Sequence, residues 1–162
     1  MQHESTQEAI AIIGMGCRFP GPHGRSIHTP EAFWQLLRNG EDVIREIPAT
    51  RWAIDAYYDP DPNRLGKMYV RKGYFLADID QFDPEFFNLS PREAAALDPQ
   101  QRLALEVGWE TLEDANIAPS TLFGSQTGIF IGTFWDDYSA QRLHAVDAQA
   151  IDRYAILSNA RS

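Results

Sequence analysis

The sequence predicts an α/β chain in which helices cover a sheet. Three observations carry that prediction. Two short apolar runs, Ala9–Met15 and Thr127–Phe134, read as buried strands. A stretch near residues 30–39 places apolar side chains at helical spacing. A longer stretch, about 99–115, is apolar around most of its circumference and needs cover on several sides.

Residues 1–8 are polar and form an N-terminal extension ahead of a folded segment, 9–162. The run Ala9–Met15 holds two adjacent isoleucines and closes on Gly14 and Gly16. A glycine- and proline-rich loop then leads to Thr29, which caps a helix. Pro30 suits its first turn and Gly40 stops it. Phe33, Trp34 and Leu37 form its apolar face, widened by Leu36.

Residues 48–73 combine Pro48, Pro60, Pro62, Gly66 and Gly73 with tyrosines and charges. They read as a long ordered loop anchored by Trp52, Tyr57, Tyr58 and Tyr69, because a solvated linker holds fewer aromatics. Two helix starts follow. Ser90-Pro91-Arg92-Glu93 is a capping box with proline first, and Asp98-Pro99-Gln100-Gln101 repeats the logic. A short helix of about 91–97 therefore abuts the long one, which Asn116 ends and Pro119 cannot continue. On the long helix Arg102, Glu106, Glu110 and Glu113 share one stripe, while Leu103, Leu105, Val107, Trp109 and Leu112 occupy the rest. Part of that helix's cover is expected from chain outside these residues. The tail 148–160 is weakly helical, and the stop at Ser162 without a cap reads as a cut rather than a designed end.

Composition sets outer limits. The chain has 162 residues, is 44% hydrophobic and carries a net charge of −9. That charge argues against a nucleic-acid partner. No run approaches the ~20 apolar residues of a membrane span. A single cysteine cannot pair within the chain, so a reducing, cytoplasmic setting is expected.

Several motifs imitate sites. Gly14-x-Gly16 lacks a glycine at position 19, where Phe19 stands, and Pro20-Gly21 blocks a phosphate-facing helix. Asp59-Pro60-Asp61-Pro62-Asn63 begins like a calcium loop but has Arg64 and Val70 where glycine and glutamate are needed. Asp78, Asp80 and Asp83 read as turn and capping residues. His3, His23, His28 and His144 lack ligand spacing with each other or with Cys17, so no metal is expected. Ser90 of the formal sequon Asn88-Leu89-Ser90 is better used as a helix cap. Cys17 has no oriented base in the sequence and reads as a packed thiol.

The ordered segments "AIIGMGCRFPG", "PEAFWQLLRNGED", "PATRWAIDAYYDPDP", "GKMYVRKGYF", "FDPEFFNLSPREAAALDPQQRLALEVGWETLEDANI" and "TGIFIGT" resemble the N-terminal part of the β-ketoacyl synthase (ketosynthase) domain of modular type I polyketide synthases. The resemblance runs from about Glu8 to Ser162. It implies a thiolase-like fold, a layered αβαβα sandwich, of which this chain supplies part of the first half. It implies an acyltransferase working as a homodimer. A cysteine takes an acyl chain from an acyl-carrier protein, and a malonyl-type extender is decarboxylated and attacks the thioester. Phosphopantetheine is borne by the carrier protein; the domain binds no cofactor of its own.

The family's nucleophile lies in a Thr/Ser-Ala/Ser-Cys-Ser-Ser-like motif, and its histidines in "HGTGT"-like and "GH"-like segments. None of these occurs here, and Cys17 falls in the structural "GMGCRFPG" signature, so no residue of this chain is assigned a catalytic role. By the resemblance, Phe134 and Trp135 border the acyl pocket or the dimer partner; ordinary core or interface aromatics are the alternative. Three readings follow: a part of a polyketide synthase, completed by the remainder of the ketosynthase domain; a stand-alone non-catalytic interaction protein; or one part of a split synthase.

Overall fold

The computed structural model describes residues 9–133 and Tyr138. The glycine- and proline-rich loop folds back on itself. Strand β1 (Phe19–Pro20) pairs antiparallel with β2 (Ser26–Ile27), Phe19 opposite Ile27, around a tight turn at Pro22–Gly24. Helix α1 (Pro30–Asn39) starts where expected: Thr29 Oγ1 accepts the Ala32 N–H at 3.2 Å. It stops at Gly40, whose φ of 65° is the left-handed conformation that glycine adopts without strain. Phe33 stacks on Phe19 with ring centroids 4.0 Å apart. Trp34 and Leu37, placed on the apolar face by the sequence, are 61% and 55% exposed, so the packed stripe is narrower than expected.

Strands β3 (Arg45–Glu46) and β4 (Lys72–Gly73) pair antiparallel and close the long loop at its base. The loop is ordered, as its composition predicts, but the rings do not carry it equally. Ile54 is buried and Tyr58 half-buried, whereas Trp52, Tyr57 and Tyr69 face outward. The hub is Arg71. It pairs with Glu46 at 3.0 Å and Asp55 at 3.3 Å, and lies 4.8 Å over the Tyr58 ring. Lys67 Nζ adds a hydrogen bond to the Ala56 carbonyl at 2.7 Å.

Helices α2 (Pro91–Ala96) and α3 (Pro99–Asp114) both begin with complete capping boxes. Glu93 N–H donates to Ser90 Oγ at 3.2 Å, and Ser90 N–H to Glu93 Oε2 at 2.9 Å. Asp98 Oδ1 accepts the Gln100 N–H at 2.8 Å, and Gln101 Oε1 accepts the Asp98 N–H at 3.2 Å. Asn116 closes α3 at φ 54°, and the chain then turns at Pro119–Leu122. Phe82, Phe86 and Phe87 hook the preceding connector onto Trp109 of α3, with Phe86 edge-on at 4.8 Å.

Among the described residues neither predicted run forms a strand; Phe134, the last residue of the second, lies outside them. Residues 9–15 and 127–133 belong to no ladder; Ile10 is 93% and Phe130 96% exposed. A strand exists by its hydrogen-bonded neighbour, and no described segment offers an edge to either run. Of the layered sandwich implied by the resemblance, the described residues supply helices, a closed loop and two minimal ladders, not the sheet. Their buried apolar side chains are Ile27, Ile54, Ala94 and Ala96. Helix α3 is half-buried along most of its length, in keeping with the expectation that its cover comes partly from elsewhere. The tail 148–160 lies outside the described residues.

Candidate functional site

The chemistry-bearing side chains meet on one stripe of α3. Val107, Glu110, Thr111 and Asp114 are spaced three and four apart and so share a face. The segment Gly14–Arg18 lies along it. A Cβ at Gly14 would stand 2.6 Å from the Thr111 carbonyl oxygen and 2.7 Å from Ala115 Cβ. One at Gly16 would press on Thr111 Oγ1 and stand 2.8 Å from the Val107 carbonyl oxygen. The two glycines therefore serve a close backbone approach to a helix, which accounts for Gly-x-Gly without a nucleotide. Met15 N–H donates to Asp114 Oδ2 at 2.8 Å and fixes the register.

Arg18 completes the contact. Its side chain is only 9% exposed; Nη2 donates to Glu110 Oε1 at 2.8 Å and lies 3.8 Å from Glu106 Oε2. Nη1 is hydrogen-bonded to His28 Nδ1. A guanidinium only donates, so Nδ1 must accept, with any ring proton on Nε2. The acidic stripe on α3 was legible in the sequence, but its cation was not. The available signal was that charges on a mostly apolar helix demand a counterion.

The electrostatics favour structure over catalysis. Burial pushes the Cys17 thiol above its usual range, and Glu110 and Glu31 add to the rise against the opposing Arg18 charge. A reactive cysteine needs the reverse. Burial likewise raises Glu106, partly offset by Arg18. The acidic decoy sequences resolve into turns: Asp59 Oδ1 accepts the Asp61 N–H at 2.9 Å and Asp61 Oδ1 the Asn63 N–H at 3.0 Å. Asp83 Oδ1 accepts the Phe86 N–H at 3.1 Å, and Asp78 turns the chain at φ 52°. Among the described residues no group of three or more His, Cys, Asp or Glu side chains is placed to hold a metal ion.

A shallow cleft of about 420 Å³ lies between β1, α1 and the chain after it. Phe19, Phe33, Leu36 and Tyr74 line it together with Glu41 and Asp42. Phe134 and Trp135, the two aromatics singled out in the sequence, lie outside the described residues, as do His3 and His144. Close after the aromatics, Tyr138 donates to the Ala95 carbonyl of α2 at 3.0 Å.

Comparison with known proteins adds what the geometry alone does not supply. The family model described as "Beta-ketoacyl synthase, N-terminal domain" matches residues 7–162. Polyketide synthase GfsB of Streptomyces halstedii is 49% identical over 159 residues, which is 98% of this chain and 3% of that protein. The spectinabilin polyketide synthase system protein NorC of Streptomyces orinoci is 53% identical over 132 residues, covering 81% of this chain and 6% of its own length. Among solved structures, the oxazolomycin ketosynthase domain OzmH KS7 of Streptomyces albus superposes with a TM-score of 0.74 at 36% identity. That superposition covers 85% of this chain and 23% of the ketosynthase. A ketosynthase from module 6 of the bacillaene synthase of Bacillus subtilis gives 0.59 at 39% identity, covering 71% and 18%. The chain thus spans a small part of each relative.

Proposed function

The chain belongs to the β-ketoacyl synthase N-terminal domain family and has the thiolase-like fold of ketosynthase domains, and on that premise we propose that residues 9–162 work as the opening part of a polyketide synthase ketosynthase, behind a polar lead of residues 1–8. The proposed reaction is acyl transfer followed by decarboxylative Claisen condensation. An acyl chain moves from the phosphopantetheine thiol of an acyl-carrier protein to a cysteine outside these residues. The carbanion left by loss of CO₂ from a malonyl-type extender then attacks that thioester and expels the cysteine thiolate. Positioned histidines, also outside these residues, stabilise the developing oxyanions.

In this reading residues 9–162 supply scaffold and part of the acyl pocket, to which Phe134 and Trp135 contribute. The domain works as a homodimer in the cytoplasm and meets its substrates only on carrier protein. The observation that carries the proposal is 49% identity to a polyketide synthase along 98% of the chain.

The test is condensation by the whole protein, given an acyl thioester and malonyl-loaded carrier protein. Cys17→Ser should leave the rate unchanged, whereas a 162-residue polypeptide alone should give no condensation product. An acyl adduct on Cys17 would overturn the assignment. Replacing Trp135 by alanine should lower kcat/KM more for long acyl chains than for acetyl. Intact mass of the native polypeptide separates this reading from a stand-alone interaction protein, which would weigh 18.3 kDa.

A further inference from the structure

We propose that Asn39 is a site of self-modification: its side-chain amide closes onto the backbone nitrogen of Gly40, and the last turn of α1 is left carrying aspartate or isoaspartate. The chain has five asparagines, followed by Gly40, Arg64, Leu89, Ile117 and Ala160. Only before glycine is the attacking nitrogen clear of a neighbouring side chain. The fold keeps that clearance: Asn39 and Gly40 are both exposed, and no described residue lies within 4 Å of the Cβ position of Gly40. Asn39 Nδ2 donates to Glu41 Oε1 at 3.0 Å, which turns the amide toward the residues that follow it rather than back along the helix.

One support holds the reaction back. Gly40 N–H is shared between the Leu36 and Leu37 carbonyls, 3.1 Å from the second, and Glu41 N–H donates to the Leu36 carbonyl at 3.2 Å. Three-centre bonds of this kind are common where helices end, and helix ends fray. The attack therefore waits on opening of the last turn of α1, not on unfolding of the chain.

In the reaction Gly40 N gives its proton to solvent base and bonds to Asn39 Cγ. The Cγ–Nδ2 bond breaks, and Nδ2 takes a proton from solvent and leaves as ammonia. Water then opens the cyclic imide at either carbonyl, giving aspartate by one route and isoaspartate by the other. One water is consumed for each ammonia released. The product alters the turn, because a carboxylate replaces the donor facing Glu41, at the negative end of the α1 dipole. Isoaspartate also adds a methylene to the main chain. Gly40, Glu41 and Asp42 line the cleft, so the altered turn is part of its wall.

Peptide mass mapping of the whole protein, aged at neutral pH and physiological temperature, tests this. Trypsin cuts after Arg38 and Arg45, so Asn39 opens the short peptide 39–45. Digestion at mildly acidic pH keeps the nitrogen protonated and stops further reaction. The peptide should gain the mass of an oxygen-for-NH exchange with time, and the product should contain isoaspartate, read by enzymatic methylation of that residue. The folded protein should react no more than about tenfold slower than the same protein in urea, the scale of one hydrogen bond. Gly40→Ala should react far more slowly in both states. Three results would each overturn the proposal: no gain in the folded protein after the unfolded one has reacted fully, aspartate without isoaspartate, or an undiminished rate in Gly40→Ala. Should Gly40→Ala fail to fold, its rate in urea and the wild-type products still decide.

Discussion

Gly14→Ala is the sharpest test of how the N-terminal segment is seated. The added methyl would stand 2.6 Å from the Thr111 carbonyl oxygen and 2.7 Å from Ala115 Cβ. Ordinary carbon contacts begin near 3.5 Å, so the segment must lift by roughly 0.8 Å. Neither obstacle can rotate away, since one is helix backbone and the other a Cβ. Overpacking against such unyielding atoms costs about 1–3 kcal/mol. At the roughly 2–4 °C per kcal/mol of a domain of 150–250 residues that is a fall in Tm of about 2–12 °C, and less in a larger one. Gly108→Ala is the matched control. It sits inside α3 with no described residue within 4 Å of its Cβ position, so alanine should add helix propensity worth about 0.5–1 kcal/mol. Equilibrium denaturation of the two variants beside wild type measures both. Opposite signs are expected; a Gly14→Ala protein as stable as wild type would refute the close approach to α3.

Three further outcomes follow from the same geometry. Burial raises the Glu106 carboxyl above its ordinary value of 4.5, so the folded chain holds that proton to higher pH than the unfolded chain does. Stability from this group is therefore full below about 4.5 and lost as pH rises through the raised value; Glu106→Gln should remove that loss and be the more stable protein at pH 7, seen in denaturation midpoints across the range. Ser90→Ala and Asp98→Ala each delete a capping box, costing about 0.5–2 kcal/mol, with Asp98 toward the upper end because it is buried; calorimetry or denaturant titration reads both. Arg71→Met removes the hub of the 47–71 loop while costing only about 1–2 kcal/mol overall, since its partners are mostly exposed; its signature is faster tryptic cutting after Arg64 and Lys67.

What the sequence made legible is local. Thr29, Ser90, Asp98, Gly40 and Asn116 announce helix ends because capping is settled within four residues. The turn and capping roles read for Asp78 and Asp83 are legible for the same reason. The apolar runs at 9–15 and 127–133 show the limit of pattern: an apolar run says that a strand suits these residues, but the ladder depends on a partner far away in the chain. Arg18 was missed for a related reason. It lies 92 residues from Glu110, and only the fold brings them together. The family was legible because its short motifs occur in a fixed order, whereas Phe134 and Trp135 rest on that likeness alone.

The joint between α2 and α3 has a consequence for how this region tolerates change. Leu97 is extended, and Asp98, buried to 8% exposure, sets where the first turn of α3 begins. Each residue of an α-helix advances the azimuth by about 100°. One residue gained or lost between Asp98 and Glu106 would swing Glu106, Glu110 and Asp114 away from Arg18 and Met15 together. It would also turn Trp109 out of the Phe86–Phe87 cleft. The cap thus acts as the zero mark of a rotary scale, against which two otherwise separate stretches of chain are aligned. Substitutions along α3 perturb single contacts, but a change of length before Glu106 would put all of them out of phase at once.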